Sequence, residues 1–188
     1  MLILASNSPR RRELLKGAGY KFKVIPALGE EILPPLSPAR AAVEIAKAKA
    51  LEVAQNHPNA VVLAADTIVI LDDEIMGKPT DKADAFRMLS ALSGARHTVI
   101  TGVYIIKSSE NRSFYGKTSV EFHNLQKDEI SAYIETGEPF DKAGAYGIQE
   151  KGALLVKGIR GDFFNVMGLP IARVARVLEE FDILPDWK

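Results

Sequence analysis

The pattern of apolar and polar positions predicts alternating strands and helices. Apolar runs indicate buried strands at Leu2–Ala5, Phe22–Ile25 and Ala60–Ala65, and the last is continuous enough for a strand covered on both faces. Helical spacing, together with start and stop residues, predicts five helices, which are Pro9–Lys16, Ser37-Pro38 to about Asn56, Lys82–Leu92, Lys127–Glu135 and Leu169–Glu180.

Further strand patterns flank two polar turns and predict antiparallel pairs. The pairs are Ile68–Leu71 with Glu74–Met76 around Asp72-Asp73, and Thr98–Lys107 with Phe114–Phe122 around Ser108–Ser113. Ala153–Val156 is expected to form one more strand. Since helices are mixed with both buried and antiparallel strands, the predicted fold class is α/β with a mixed sheet.

Composition narrows the classes of function. The chain has 188 residues, 47% of them hydrophobic, so residues 1–188 are expected to form a single domain with a sizeable core. Lys and Arg (24) balance Asp and Glu (24), which disfavours nucleic acid and membranes as partners and makes any anion site local. The absence of cysteine excludes thiolate chemistry. Met1–Ala5 is too short for a signal peptide or membrane span, so a cytoplasmic protein is expected.

Three arginines, Arg10–Arg12, follow Ser8-Pro9 in the first turn of the first predicted helix. A helix N-terminus normally disfavours cations, and a polyanion bound there would account for them. A strand, a polar turn with Ser6 and Ser8, and a helix N-terminus together suit a phosphate site. The alternative is that Ser8 only caps the helix. Because consecutive helix residues point about 100° apart, at most two of the arginines can face one ligand.

Asp66 follows the Ala60–Ala65 run and is expected at the exit of a central strand, where ligands of open α/β sheets collect. An ionised carboxylate is costly there unless a divalent cation or a basic side chain pairs with it. The alternative is an aspartate that caps the following turn.

Four further residues are candidates, and each also has a structural interpretation. Lys78, between Gly77 and Pro79, and Lys49 would be point charges for phosphate or solvated lysines. Glu31 would be a second carboxylate for a cation or a loop charge. Gln149 ends an irregular, glycine-containing segment, and its amide offers the donor and the acceptor that complement a uracil edge; a backbone-bonded structural Gln is the alternative.

Six motifs in order resemble the blocks of the Maf family of nucleoside triphosphate pyrophosphatases, from Leu2 to about Phe181. They are Ser6-Asn-Ser-Pro-Arg-Arg11, Ala65-Asp66-Thr67, Gly77-Lys78-Pro79, Thr101-Gly102-Val103, Ala143-Gly-Ala-Tyr-Gly-Ile-Gln149 and Gly168-Leu-Pro170. Each motif alone is unspecific, whereas six in register along one chain are specific.

The resemblance implies an α/β fold shared with inosine-triphosphate pyrophosphatases, with a mixed sheet split over two lobes and a central nucleotide cleft. It implies hydrolysis of a nucleoside triphosphate to the monophosphate and pyrophosphate with a divalent cation, Mg²⁺ or Mn²⁺, and a homodimer. The Arg-Arg pair after Ser-Pro and the Gln after Gly-Ile are similar to the branch that acts on dTTP and UTP, including a house-cleaning role on modified pyrimidine nucleotides.

The same resemblance assigns roles to individual residues. Asp66 and Lys78 are expected to be catalytic, Asp66 as proton acceptor or as metal ligand, and Asp66 with Glu31 to hold the cation. The residues expected to bind substrate are Ser6, Ser8, Arg10, Arg11, Lys49, Thr67 and Gln149. Two positions depart from the family pattern, since Glu150 replaces a usual Gly and Phe163 replaces a frequent Tyr.

Two other functions are compatible with the resemblance. One is a nucleotide-binding regulator of septum formation that hydrolyses nucleotide incidentally. The other is the Maf branch that acts on methylated guanosine triphosphate, which the Gly-Ile-Gln motif disfavours. A nucleic-acid-binding module is disfavoured because the charge is balanced and no basic, aromatic-rich face is evident.

Overall fold

The computed structural model describes residues 1–188, and its strands and helices alternate along most of the chain. The strands are β1 (Leu2–Leu4), β2 (Phe22–Val24), β3 (Val61–Leu71), β4 (Glu74–Met76), β5 (Arg96–Lys107), β6 (Glu110–Phe122) and β7 (Val156–Arg160). The helices are α1 (Pro9–Gly17), α2 (Pro38–Gln55), α3 (Lys82–Leu92), α4 (Lys127–Glu135), α5 (Phe163–Met167) and α6 (Ile171–Glu179). None of the helices combines the length and apolar character that a membrane crossing requires.

The sheet has seven strands in the order β2-β1-β3-β5-β6-β7, with β4 paired to β3. β1 runs parallel to β2 and to β3, whereas β4 and β7 pair antiparallel with β3 and β6. This confirms the predicted α/β class with a mixed sheet. The chain forms two compact units: the first comprises Met1–Asp66, Thr101–Gly116 and Gly168–Lys188, and the second comprises Thr67–Ile100 and Lys117–Met167.

In the first unit, helix α2 packs closely on the sheet because its buried face is made of small residues. Ala46 and Ala50 are fully buried and lie in one apolar cluster with Ile3, Val62 and Tyr104. This close packing places Lys49, which lies on the same helix, beside the sheet.

Gly102 of β5 shows how closely helix and strand approach one another. A Cβ atom added at Gly102 would overlap the backbone of Ala42 and Val43 on α2. Backbone atoms of a packed helix cannot yield as the tip of a flexible side chain can, so only glycine fits. This gives the glycine of the Thr101-Gly102-Val103 motif a packing role.

We predict that Gly102→Ala lowers the free energy of unfolding by about 3 kcal/mol, because α2 must move away from β5. Urea denaturation followed by circular dichroism measures the loss. Gly158→Ala is the matched control, since nothing lies within 4 Å of a Cβ added there. Equal stability of the two variants would show that α2 does not constrain this position.

In the second unit, β3 and β4 form the predicted hairpin. The turn residues Asp72 and Asp73 have φ angles of 47° and 67°, the two left-handed conformations that a type I′ hairpin turn requires. Helices α3 and α4 pack with the inner residues of the strands in one apolar cluster, which includes Leu89, Leu92 and Phe122.

The structure corrects three element predictions. β3 is one continuous strand, so Asp66 lies inside it and not at a strand exit; the β-branched residues after Thr67 favour extended backbone. Ala153–Val156 is not a strand, because residues Glu150–Leu155 form a 3-10 helix and β7 begins at Val156.

The third correction concerns β5 and β6, which are neighbours in the sheet and longer than predicted. Only Ser108 and Ser109 separate them, where the sequence predicted a turn over Ser108–Ser113. A connection this short requires an antiparallel pair. The side chain of Arg112 in the added length donates from Nε to Glu180 at 2.7 Å, which connects the hairpin to the end of α6.

Candidate active site

The start of α1 is built as the sequence suggested, by a serine cap and a proline at the first helical position. The backbone N–H of Arg11 donates to Ser8 Oγ at 3.5 Å, and the backbone N–H of Ser8 donates to Ser6 Oγ at 3.2 Å. No acidic residue lies in the first turn. The positive end of the helix dipole therefore has no carboxylate of its own helix beside it and is suited to an external anion.

Arg11 ties this end of the helix to the C-terminal part of the first unit. Its Nε donates to the carbonyl oxygen of Gly168 at 2.8 Å, and its Nη1 donates to Ser6 Oγ at 3.0 Å. Burial lowers the pKa of Arg11, and the nearby carboxylates of Asp66 and Glu31 oppose that shift. The guanidinium is thus a partly buried cation held by a fixed set of acceptors and neighbouring charges.

The neighbouring arginines differ in exposure. Arg10 is partly buried, and its positive charge is near enough to Arg11 to lower the pKa of that group. Arg12 is exposed, and its Nη2 donates to the carbonyl oxygen of Asn7 at 3.0 Å. The three arginines therefore do not present one common charged face.

Lys49 is the centre of the charged cluster. Its Nζ lies 2.8 Å from Asp66 Oδ1 and 2.8 Å from Glu31 Oε1. The side chains of Lys49 and Asp66 are only 14% and 13% exposed, whereas that of Glu31 is 54% exposed. A buried ammonium between two carboxylates satisfies charges that would be costly if left unpaired.

The donor set formed by Asp66 and Glu31 fits a hard divalent cation. Both carboxylates approach one point, the ammonium of Lys49, and Mg²⁺ is commonly held by one or two carboxylates together with substrate phosphates. No group of three or more His, Cys, Asp or Glu side chains is placed to hold a metal ion. Asp66 and Glu31 are therefore two candidate ligands and do not form a complete metal site by themselves.

The second unit contains Thr67, Lys78 and Gln149. Thr67 and Gln149 are partly buried, and Lys78 is exposed. The carbonyl oxygen of Gly77 accepts a hydrogen bond from the backbone N–H of Gly144 at 3.0 Å. This bond ties the loop of Lys78 to the segment that leads to Gln149.

The Gly144–Glu150 turn, defined as those seven residues, has a strained backbone. Ala145 and Glu150 have φ angles of 61° and 54°, and Gly144 has a φ of 69°. The left-handed conformation costs roughly 1–2 kcal/mol for each residue other than glycine. The turn therefore needs external contacts, and a Cβ added at Gly144 would lie 2.9 Å from a side-chain carbon of Val69, which shows how closely it packs.

Two residues that the sequence did not suggest contact this turn. His97 Nε2 lies 2.7 Å from the Tyr146 hydroxyl, and the backbone N–H of Gly147 donates to the Tyr133 hydroxyl at 3.2 Å. His97 and Tyr133 belong to no motif, and each is buried in an apolar cluster. The only sequence signal for these two contacts was His97 itself, a single histidine beside apolar strand residues.

We predict that Lys49→Met lowers the free energy of unfolding by about 3 kcal/mol, because Asp66 is left buried without its partner. Lys47→Met is the matched control on the same helix: its pair with Glu44 is 41% and 46% exposed, and such pairs contribute less than about 1 kcal/mol. Urea denaturation measures both variants. The double variant Lys49→Met with Asp66→Asn should regain most of the lost stability, and equal effects of the two single variants would contradict the burial argument.

Comparison with solved structures defines the fold. A HAM1 protein from Coxiella burnetii superposes with a TM-score of 0.54 at 16% sequence identity, over 95% of this chain and 98% of that one. At this identity the likeness shows a shared fold.

Comparison of sequences defines the family. Residues 1–181 match the family described as Maf-like protein. A dTTP/UTP pyrophosphatase of Bacillus pumilus (strain SAFR-032) is 52% identical over 185 residues, 98% of this chain and 98% of its own. One from Thermosipho africanus (strain TCF52B) is 52% identical over 177 residues, 94% of this chain and 91% of its own. The chain belongs to the Maf family, as the six motifs predicted.

Proposed function

We propose that this chain hydrolyses dTTP and UTP to the nucleoside monophosphate and pyrophosphate. Near-full-length relatives with about half of their residues identical are named dTTP/UTP pyrophosphatases. The observation that carries the proposal within the structure is the Lys49 cluster, in which one ammonium lies 2.8 Å from the carboxylates of both Asp66 and Glu31. Such a cluster combines the opposite charges that phosphate chemistry requires.

The triphosphate would bind at the start of α1. Ser6 and Ser8 offer hydroxyl groups, the helix offers backbone N–H groups, and Arg10 and Arg11 offer forked donors that match phosphate oxygens. Arg11 is already oriented by Gly168 and Ser6, so little side-chain entropy remains to be lost on binding.

Asp66 and Glu31 would hold a divalent cation, Mg²⁺ or Mn²⁺. When bound, the cation would neutralise part of the charge on the phosphate oxygens. Lys49, which contacts both carboxylates, would contribute a second positive charge for the triphosphate.

In the proposed reaction, water attacks the α-phosphorus and the bond from that phosphorus to the oxygen bridging the α- and β-phosphates breaks. The bonding electrons leave with pyrophosphate. Asp66 would accept the proton of the attacking water at its carboxylate, and Lys78 with the arginines would stabilise the negative charge on the leaving oxygens.

Gln149 and Thr67 would select the base. The amide of Gln149 can accept from N3–H and donate to O4 of thymine or uracil, whereas cytosine reverses both groups. A site made to pair with polar groups rejects such a mismatch more firmly than one that relies on shape. A substrate preference for dTTP and UTP is also compatible with a house-cleaning role on the nucleotide pool, including modified pyrimidine nucleotides.

We further propose that both units act as one functional domain, as a homodimer, in the cytoplasm where nucleoside triphosphates are made. The family match over residues 1–181 includes parts of both units and so supports a joint function. Light scattering coupled to gel filtration measures the oligomeric state, and a monomeric mass would contradict the homodimer.

We predict that the wild-type chain releases pyrophosphate from dTTP and UTP at least about ten times faster than from dATP, dGTP and dCTP, a difference of roughly 1.4 kcal/mol in the barrier. A panel of nucleoside triphosphates with Mg²⁺ or Mn²⁺, scored for monophosphate and pyrophosphate, measures this preference.

Asp66→Asn should lower kcat about 100-fold or more, since Asn keeps the shape and removes the charge. Asp73→Asn, in the exposed hairpin turn, is the control. A folded Asp66→Asn variant with more than about a tenth of the wild-type kcat would refute the assignment of Asp66.

We also predict that Arg11→Ala lowers kcat/KM for dTTP about 100-fold, whereas Arg12→Ala changes it less than about threefold. Arg11 is partly buried and fixed by Ser6 and Gly168, and Arg12 is exposed and bonded to the carbonyl of Asn7. Initial rates over a range of dTTP concentrations measure both variants, with thermal melts to confirm folding. Equal losses would mean that the binding face of α1 has been assigned incorrectly.

A further inference from the structure

The Gly144–Glu150 turn is held by two hydrogen bonds from buried side chains that belong to no recognised motif. His97 Nε2 and the Tyr146 hydroxyl lie 2.7 Å apart, and the backbone N–H of Gly147 donates to the Tyr133 hydroxyl at 3.2 Å. His97 is 2% exposed, and both tyrosines are 5% exposed. These bonds act on two consecutive residues of the turn, immediately before Ile148 and Gln149.

His97 is restricted to this single contact. Its Nδ1 is buried and has no hydrogen-bond partner. Burial lowers the pKa of His97 to about 4, so the ring is neutral near pH 7. The only polar interaction of the ring is therefore the bond with Tyr146, and loss of that bond would leave a buried imidazole without any partner.

Two aromatic rings, those of His97 and Phe122, fix the direction of the Tyr146 side chain. The rings of His97, Phe122 and Tyr146 contact one another edge to face, with centroids 5.1, 5.3 and 4.7 Å apart. Edge-to-face contacts are directional, so the rings resist rotation. With the hydroxyl bonded as well, both ends of the Tyr146 side chain are fixed.

Tyr133 fixes the next residue of the turn from helix α4. Its hydroxyl accepts the hydrogen bond of Gly147 and also lies close to Gly152. A Cβ added at Gly152 would be 2.8 Å from the hydroxyl oxygen. Burial raises the pKa of Tyr133 to about 12, so the hydroxyl is neutral at physiological pH. The site accepts only glycine at position 152, which indicates that the tyrosine is closely enclosed.

The backbone strain explains why such contacts are needed. Ala145 and Glu150 are left-handed at either side of the segment that contains Gln149. Strained conformations persist only where the surrounding structure over-determines them, and they are concentrated at ligand sites. Without the bonds to His97 and Tyr133, the turn would relax and Gln149 would sample several positions.

We propose that His97, Tyr133 and Tyr146 are positioning residues for base selection: they hold the turn so that the amide of Gln149 keeps one orientation toward the pyrimidine. The proposal rests on the dTTP/UTP activity proposed above. A glutamine amide that is free to turn over can pair with cytosine as well as with thymine, because its donor and acceptor exchange places. Selectivity against dCTP therefore requires a fixed orientation and not only the presence of Gln149.

The test compares kcat and KM for dTTP and dCTP in the wild type, Tyr146→Phe, Tyr133→Phe and Gln149→Ala. Tyr146→Phe and Tyr133→Phe each remove one hydroxyl and keep the ring. We expect each to reduce the ratio of kcat/KM for dTTP over dCTP at least about fivefold, through a higher KM for dTTP with kcat changed less than about twofold. Gln149→Ala should reduce the same ratio at least as much.

Two further variants separate positioning from stability. The double variant His97→Phe with Tyr146→Phe removes both partners of the hydrogen bond and leaves no buried polar group unpaired. Its urea midpoint should recover relative to Tyr146→Phe, while its dTTP to dCTP ratio stays low. Tyr20→Phe is the matched control in the first unit, since it removes a buried hydroxyl that has no hydrogen-bond partner, and it should leave the ratio unchanged.

The outcomes distinguish the proposals. A wild type without preference for dTTP refutes the proposed function itself. A wild-type preference that survives in Tyr133→Phe and in the double variant overturns the positioning role, and so does an equal fall of kcat for both nucleotides with unchanged KM. If Tyr146→Phe does not fold, these two variants decide the question alone.

Discussion

Strand β3 carries a largely buried carboxylate at its centre, Asp66, and Lys49 compensates the charge from 2.8 Å. A carboxylate in this largely buried position without a paired charge would destabilise the strand around it. The ammonium of Lys49 comes from α2. This helix can lie against the sheet because its buried face consists of alanines and because Gly102 of β5 has no Cβ. In the first unit, the position of the Lys49 charge therefore depends on how closely the small residues of α2 pack on the sheet. A change in either would displace the other.

Local signals were sufficient for two helices of the second unit, α3 and α4, whereas the short helix α5 was not predicted. α3 and α4 have the predicted bounds because each begins with its own cap: Asp81 accepts from the backbone N–H of Asp84 at 2.8 Å, and Gln126 with Glu129 forms a capping box. The strands were less predictable, since their limits depend on distant partners. Asp66 interrupted the apolar pattern of β3, and the sequence could not show that Lys49 neutralises it.

The residues of the candidate site also differ in how far the sequence could predict them. Ser6, Arg11, Asp66 and Gln149 were recognisable because they lie in short motifs. A cation or a basic side chain was expected beside Asp66, but the sequence did not identify Lys49 as that partner or predict its pair with Glu31. His97 and Tyr133 were missed because their role depends on a turn far away in sequence, and an isolated buried residue has no local pattern. Sequence reasoning finds candidate site residues in short motifs more readily than the buried side chains that hydrogen-bond to the segments carrying them.

The neutral imidazole of His97 also makes the fold sensitive to acid. Its pKa is about 4 in the folded chain and 6.5 in its ordinary state. As the pH falls from 6.5 to 4, the unfolded chain therefore binds a proton that the folded chain does not, so folding weakens over that interval and the effect is complete once both states are protonated. The loss of folding free energy affects the second unit, which contains His97 and the Gly144–Glu150 turn. Mild acidification would thus loosen the turn that carries Gln149.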